Sequence, residues 1–190
     1  MDRKDRIEIV ALVGSLRERS YNRGLMRTAM LLQPEDVHIT EFPVSSLPFF
    51  NPDHASTTTS PMVRDFHKAL QRADGLMVFT PEYAYSVPGV LKNALDWAAM
   101  PRGRSPLRGK PVAIASASID RTGTVRVQMH LRQIFLSMGA VTLPEPEVYV
   151  TFAEDKFNNL GELTDHTARD QVKSLLEHLA DWVDMVRDQR

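Results

Sequence analysis

The feature that most restricts the fold of this chain is the regular alternation of short apolar runs with stretches of helical period. Residues 7–13, 37–42, 75–79, 111–116 and a segment within 140–150 read as strands. Gly75-Leu-Met-Val-Phe79 is apolar throughout, which suits a strand buried on both faces. Helical spacing appears at Leu25, Met26, Ala29 and Leu32, and again at Met62, Phe66, Ala69, Leu70 and Ala73. It returns at Val87, Val90, Leu91, Ala94, Leu95 and Ala98, then at Val127, Leu131, Ile134, Phe135 and Met138, with Gly139 as a stop. A long closing helix is marked by Ala168, Val172, Leu175, Leu176, Leu179, Val183 and Val186.

Strand and helix alternating five times predict a parallel sheet covered by helices on both faces. The expected fold class is α/β, flavodoxin-like, a five-stranded parallel sheet of order 2-1-3-4-5, and residues 1–190 are expected to form one domain. In such a sheet ligands bind beyond the carboxyl ends of the strands, here the loops after strands one, three and four. The third strand stops at Pro81, which cannot donate to a ladder. Ser86 is the expected N-cap of the following helix and Pro88 falls in its first turn.

The loop after strand one, Gly14-Ser-Leu-Arg-Glu-Arg-Ser-Tyr-Asn22, places hydroxyls at Ser15 and Ser20, a guanidinium at Arg17 and an amide at Asn22 before a helix. A helix start offers free N–H groups and a positive dipole end, and arginine suits phosphate oxygens, so a phosphate monoester is the natural guest. An isolated loop of this type is also consistent with Ser20 as a plain N-cap and with solvated arginines. Neither Gly-x-x-x-x-Gly-Lys-Ser/Thr nor Gly-x-Gly-x-x-Gly occurs, which argues against an ATPase and against a dinucleotide held in the Rossmann manner.

Net charge is −1, so nucleic acid and anionic membranes are not expected as partners. There is no cysteine, hence no disulfide or thiolate site, and a cytoplasmic location is expected. The charged residues 1–6 precede an apolar run too short for a signal core or a membrane span. The six histidines lack metal spacing, and no metal is expected. Residues 43–61 are rich in Pro, Ser and Thr, including Ser56-Thr-Thr-Thr-Ser60, without a period; a loop this long is a functional flap or disordered. It carries Leu47, Phe49 and Phe50, which a monomer would hardly leave in water. Trp97 and Trp182 read as packing residues. The basic loop with Arg102, Arg104, Arg108 and Lys110 is read as solvated, or as a patch that attracts a ligand's phosphate.

Together, Gly14-Ser-Leu-Arg17 with Ser20 and Asn22, Pro81-Glu-Tyr83, and Ser86-x-Pro-Gly-x-Leu-Lys-Asn-Ala-x-Asp-Trp97 resemble the NAD(P)H-dependent FMN reductase family, which includes bacterial quinone, chromate and azo-dye reductases. The resemblance extends through His130-Leu-Arg-Gln133. It implies FMN as cofactor, with the phosphate at Ser15, Arg17, Ser20 and Asn22 and the ring along Pro81, Glu82, Tyr83 and Ser86 and against the loop beginning at Ser116. It further implies NADPH or NADH as donor, a quinone-like, azo or other small oxidised acceptor, ping-pong kinetics, and a homodimer or homotetramer. The flavin bears the chemistry, so no side chain is assigned as acid or base. Two positions depart from the family pattern: Ala84 stands where Asn is usual, and Thr124-Val125 follows Gly123 where a Gly-Gly pair is usual. These departures keep an FMN-free descendant with a binding or regulatory role as an alternative, beside a flavodoxin-type electron carrier.

Overall fold

The structure, a computed structural model, describes residues 6–55 and 60–188. The charged residues 1–5 and residues 56–59 of the Ser/Thr tract lie outside them. Strands β1 (Ile7–Val13), β2 (Val37–Glu41), β3 (Gly75–Phe79) and β4 (Pro111–Ala117) pair in parallel in the order β2-β1-β3-β4. The fifth position is occupied by two short parallel strands in tandem. β5 (Val141–Thr142) pairs with the start of β4 and β6 (Val148–Val150) with its end. Pro144 and Pro146 fall between them, and a residue without an N–H cannot continue the ladder. The expected order is therefore present, with its last strand divided.

In chain order the helices are α1 (Tyr21–Leu32), α2 (Pro52–Ala55), α3 (Pro61–Arg72), α4 (Gly89–Ala98), α5 (Val125–Met138), α6 (Ala153–Lys156) and α7 (His166–Arg187), with a 3-10 turn at Val44–Ser46. Alternation along the strands divides the core in two. Ile7, Ile9, Ala11 and Val13 face Leu25, Met26 and Ala29 of α1 and Val172, Leu175, Leu176 and Leu179 of α7. Val10, Leu12, Leu76 and Val78 face Phe66 and Leu70 of α3, Leu91 and Leu95 of α4, and Leu131 and Phe135 of α5. Each fully buried Leu or Phe contributes about 1.5–3 kcal/mol relative to exposure. Gly139 ends α5 in the left-handed region at φ 72°, a conformation glycine adopts without strain. Among the described residues, no helix is long and apolar enough to cross a membrane.

Because every strand runs the same way, the loops after Val13, Phe79 and Ala117 gather at one edge of the sheet. The basic segment before Pro111 lies at the opposite edge. There the Lys110 ammonium donates to the Ala73 carbonyl and, at 3.3 Å, to that of Gln71, satisfying the C-terminal end of α3. The aliphatic stem of Arg108 lies over Gly139. This basic loop is therefore remote from the crevice at the other end of the strands.

The 43–61 segment is docked along part of its length. Leu47 is buried, and α4 holds the backbone that follows. Asn93 Nδ2 and Trp97 Nε1 both donate to the Pro48 carbonyl, at 2.9 and 2.8 Å, and Asn93 Oδ1 accepts from Phe50 N–H at 2.7 Å. Phe50 meets Trp97 edge-on with centroids 5.0 Å apart. The i, i+4 spacing of Asn93 and Trp97 puts both on one helix face, so the Lys-Asn-Ala-x-Asp-Trp run is a clamp for this segment. Asn93→Ala is expected to lower stability by about 1–2 kcal/mol, seen in urea as a lower midpoint with the slope unchanged.

Candidate functional site

The site is assembled from three loops at the carboxyl edge. Where β1 ends, Gly14 N–H donates to the Phe79 carbonyl at 2.8 Å, and a Cβ on Gly14 would collide with the Thr80 hydroxyl. The absent side chain lets the first loop leave the sheet directly over the third. Ser15 follows, 2% exposed, its Oγ 3.3 Å from the Tyr83 hydroxyl and accepting from Arg17 N–H at 3.4 Å. Ser20 is the N-cap of α1 and accepts from Arg23 N–H at 3.3 Å, which leaves its hydroxyl proton able to donate. The Arg17 side chain is exposed. Two hydroxyls, a guanidinium and the dipole end of a three-turn helix thus converge, a donor set suited to a dianion.

Asn22 has a different engagement. Its Nδ2 donates to the Ala117 carbonyl at 3.0 Å and its Oδ1 accepts from Ala117 N–H at 2.8 Å, in a buried setting. Its amide fastens the start of α1 to the end of β4.

The second loop closes on itself. Tyr83 and Ser86 exchange backbone hydrogen bonds of 3.1 and 2.9 Å, with Ala84 at φ 48° and Tyr85 at φ 63° between them. Two consecutive left-handed residues make this a type I′ turn, which favours Asn or Gly. Asn at position 84, usual in the family pattern, is thus explained by backbone conformation. Ser86 belongs to this hairpin, and the N-cap of α4 is Pro88. The hairpin is fastened to α5 at three points. Glu82, its side chain 10% exposed, accepts from Val127 N–H at 3.1 Å and from Arg126 Nη1 at 3.0 Å, placing a carboxylate on the positive end of the helix. The Arg126 guanidinium lies 4.2 Å from the Tyr85 ring centroid, and Ser86 Oγ is 3.0 Å from His130 Nδ1.

A cavity of about 190 Å³ brings together Ser15, Arg17, Ser20, Asn22, Pro81, Glu82 and Tyr83. It shares Glu82, Ser118 and Asp120 with a wider cavity of about 600 Å³ that reaches Ala84, Tyr85, Arg121 and Arg126. Ser86 and Ser116 line neither; the Ser116 side chain is wholly buried beneath the third loop. Asp120 and Arg121 carry no motif in sequence, and only their position after strand four marks them. Tyr149, paired with Ser116 in the ladder, has its phenol pushed up to about 12 by burial and then by Glu147, so it stays neutral near pH 7.

A family profile described as NADPH-dependent FMN reductase matches residues 7–155. An NAD(P)H-dependent FMN reductase of Pseudomonas aeruginosa is 39% identical over 183 residues, covering 96% of this chain and 98% of that protein. A 2-hydroxy-1,4-benzoquinone reductase of a Burkholderia species is 36% identical, covering 97% and 98%. Among solved structures, the flavoenzyme NAD(P)H:(acceptor) oxidoreductase FerB of Paracoccus denitrificans superposes with a TM-score of 0.86 at 28% identity, covering 94% of this chain and 98% of that one.

The hairpin geometry has a measurable consequence. Ala84→Asn is expected to stabilise the protein by about 0.5–1 kcal/mol, since Asn enters the left-handed region more readily than Ala. Ala84→Val is expected to lower the thermal midpoint, and differential scanning calorimetry of the two variants checks both signs.

Proposed function

This chain belongs to the NADPH-dependent FMN reductase family, and we propose that it is an oxidoreductase that holds FMN and uses NAD(P)H to reduce a quinone-like, azo or other small oxidised acceptor. The observation that carries this reading is the continuity of the two cavities. A cradle with the donors for a phosphate monoester opens, past Glu82, Ser118 and Asp120, into a cleft wide enough for a flat ring and a second reactant. Bound FMN would supply the redox chemistry, accepting hydride from the nicotinamide and releasing electrons to the acceptor.

The chain's own part is binding, orientation and field. Arg17, Ser15, Ser20 and the first N–H groups of α1 hold the phosphate. Asn22 keeps that cradle in register with the third loop through Ala117. Pro81 and Tyr83 form one wall for the ring, and Glu82 holds that wall to α5 rather than reacting. The backbone N–H groups of Glu82 and Ala84, and of Ile119, Arg121 and Thr122 in the third loop, would serve as donors at the ring edge, where negative charge grows on reduction; those of Tyr83, Ala117, Ser118 and Asp120 are taken up within the protein. The exposed Tyr85 ring and Arg121 border the open side, where donor and acceptor would enter in turn. A quinone-like acceptor accords with the names of the relatives. The proposal includes one domain, a cytosolic location and a homodimer or homotetramer. The absence of cysteine fits the cytosol, and Phe49, 93% exposed, fits a face covered by another copy.

An absorption spectrum taken after FMN loading and removal of excess tests the reading first. Flavin bands retained by the protein and bleached by NADPH are expected, and a flat spectrum would overturn it. Arg17→Ala is expected to weaken FMN binding about 10- to 100-fold, the effect of losing a charge-assisted contact, while riboflavin, which lacks the phosphate, binds both proteins equally.

A further inference from the structure

Beneath the third loop lies a polar knot that the site description leaves without a role. Ser116, Thr124 and Gln128 are each 0% exposed. Ser116 stands just before residues 117–123 and Thr124 just after, so the two mark the feet of the loop. Thr124 is the N-cap residue of α5, yet its side chain makes no cap hydrogen bond; its hydroxyl donates instead to Ser116 Oγ. Gln128, one turn into α5, donates from Nε2 to Ser116 Oγ at 2.7 Å and to the Val148 carbonyl of β6 at 3.0 Å. Ser116 Oγ, accepting from both, donates to the same carbonyl at 3.3 Å. Gln128 Oε1 is buried without a hydrogen-bond partner.

The arrangement is not the one that stability alone favours. Replacing Gln128 by methionine would leave no other polar atom in the knot stranded. Ser116 Oγ would keep the Thr124 donor, the Val148 carbonyl would keep the Ser116 hydroxyl, and the unpartnered Oε1 would disappear. A buried amide with one unsatisfied end is a net cost to the folded state. What the amide adds is geometry. It ties α5 and β6 to the single oxygen at the foot of the loop, and so limits how far the loop can rise from the sheet.

We propose that Gln128, with Ser116 and Thr124, is a positioning residue for residues 117–123, setting the height of the backbone donors that loop has uncommitted, the N–H groups of Ile119, Arg121 and Thr122, against the flavin edge and thereby the flavin's reduction potential. The inference rests on the FMN reading above, and touches neither phosphate binding nor substrate contact. Donors held close to the ring favour its reduced, more negative form, so loosening the loop lowers the potential. A purely structural role would instead lower stability and leave the potential where it was.

The test compares wild type and Gln128→Met as FMN-loaded and FMN-free protein, with Thr124→Val and Thr124→Ser as a second pair. For Gln128→Met the thermal midpoint of the FMN-free protein is expected to be unchanged or raised. Amide hydrogen exchange in 117–123 is expected to quicken, and the preference for reduced over oxidised FMN to fall about tenfold, equivalent to about 30 mV for a two-electron couple. Thr124→Val is expected to move the potential in the same direction and Thr124→Ser to restore it. A lowered midpoint with unchanged potential and unchanged loop exchange would overturn the proposal and leave the knot as packing. Failure of the wild type to bind FMN would overturn the flavin reading itself, and the exchange measurement on FMN-free protein would still show separately whether the knot holds the loop.

Discussion

The structure depends on how the end of β4 is satisfied. In the β3–β4 ladder the last partners are Phe79 and Ala115, after which the chain turns away at Pro81. β4 runs on to Ala117, so on the β3 side a buried N–H and carbonyl are left facing nothing. Asn22 fills the vacancy, its one amide making the two hydrogen bonds for which a continued β3 would have used two residues. One side chain thus continues the sheet and locks the start of α1 to it. The anion cradle and the third loop cannot move independently. Each buried backbone group left unpaired would cost about 1–3 kcal/mol, enough to make this contact a condition of the site's shape.

The same economy recurs across the cleft. Glu82 reads in sequence as a residue beside the ligand, and in the structure its carboxylate is committed to Arg126 and to the first turn of α5. A charged group at a helix N-terminus, nearly excluded from water, anchors the hairpin more firmly than a surface ion pair would. With Ser86 against His130 and Tyr85 under Arg126, the wall bearing Tyr83 becomes an extension of a helix rather than a free loop. Cofactor enzymes of this type rely on such fixed surfaces because the reactive atoms belong to the guest.

The architecture was legible because strong periodicity leaves few choices. Gly75–Phe79 is apolar at every position and its strand is buried at every position. The α7 stripe from Ala168 to Val183 packs as its spacing requires. The loops that gather at the carboxyl edge were legible from topology, and the resemblance pointed to residues within them of which Ser15, Arg17, Ser20, Asn22, Pro81, Glu82 and Tyr83 share one cavity while Ser86 and Ser116 stand outside it. What sequence did not convey are contacts between side chains and distant backbone. Nothing near Asn22 points to Ala117, ninety-five positions away. Lys110 looks like part of a basic loop, and only tertiary packing brings it to the end of α3. Ser86 resembles an N-cap because Ser before Pro-Gly is a helix-start pattern, whereas the Tyr83–Ser86 turn lacks the Gly or Asn that usually announces it. The divided fifth strand follows from two prolines whose effect on register is not readable from an apolar count.

That division also bears on how the molecule behaves among copies of itself. A sheet margin invites another chain when it offers a long, straight row of unpaired backbone groups. Here the margin beyond β4 is a pair of segments two and three residues long, separated by a proline-bearing detour that Arg132 pins by donating to the Leu143 carbonyl at 2.5 Å. An incoming strand would find no continuous ladder on which to align. The interruption that complicates the fold thus serves as protection of that margin at high concentration, leaving β2 at the opposite edge as the continuous strand from which the sheet could be extended.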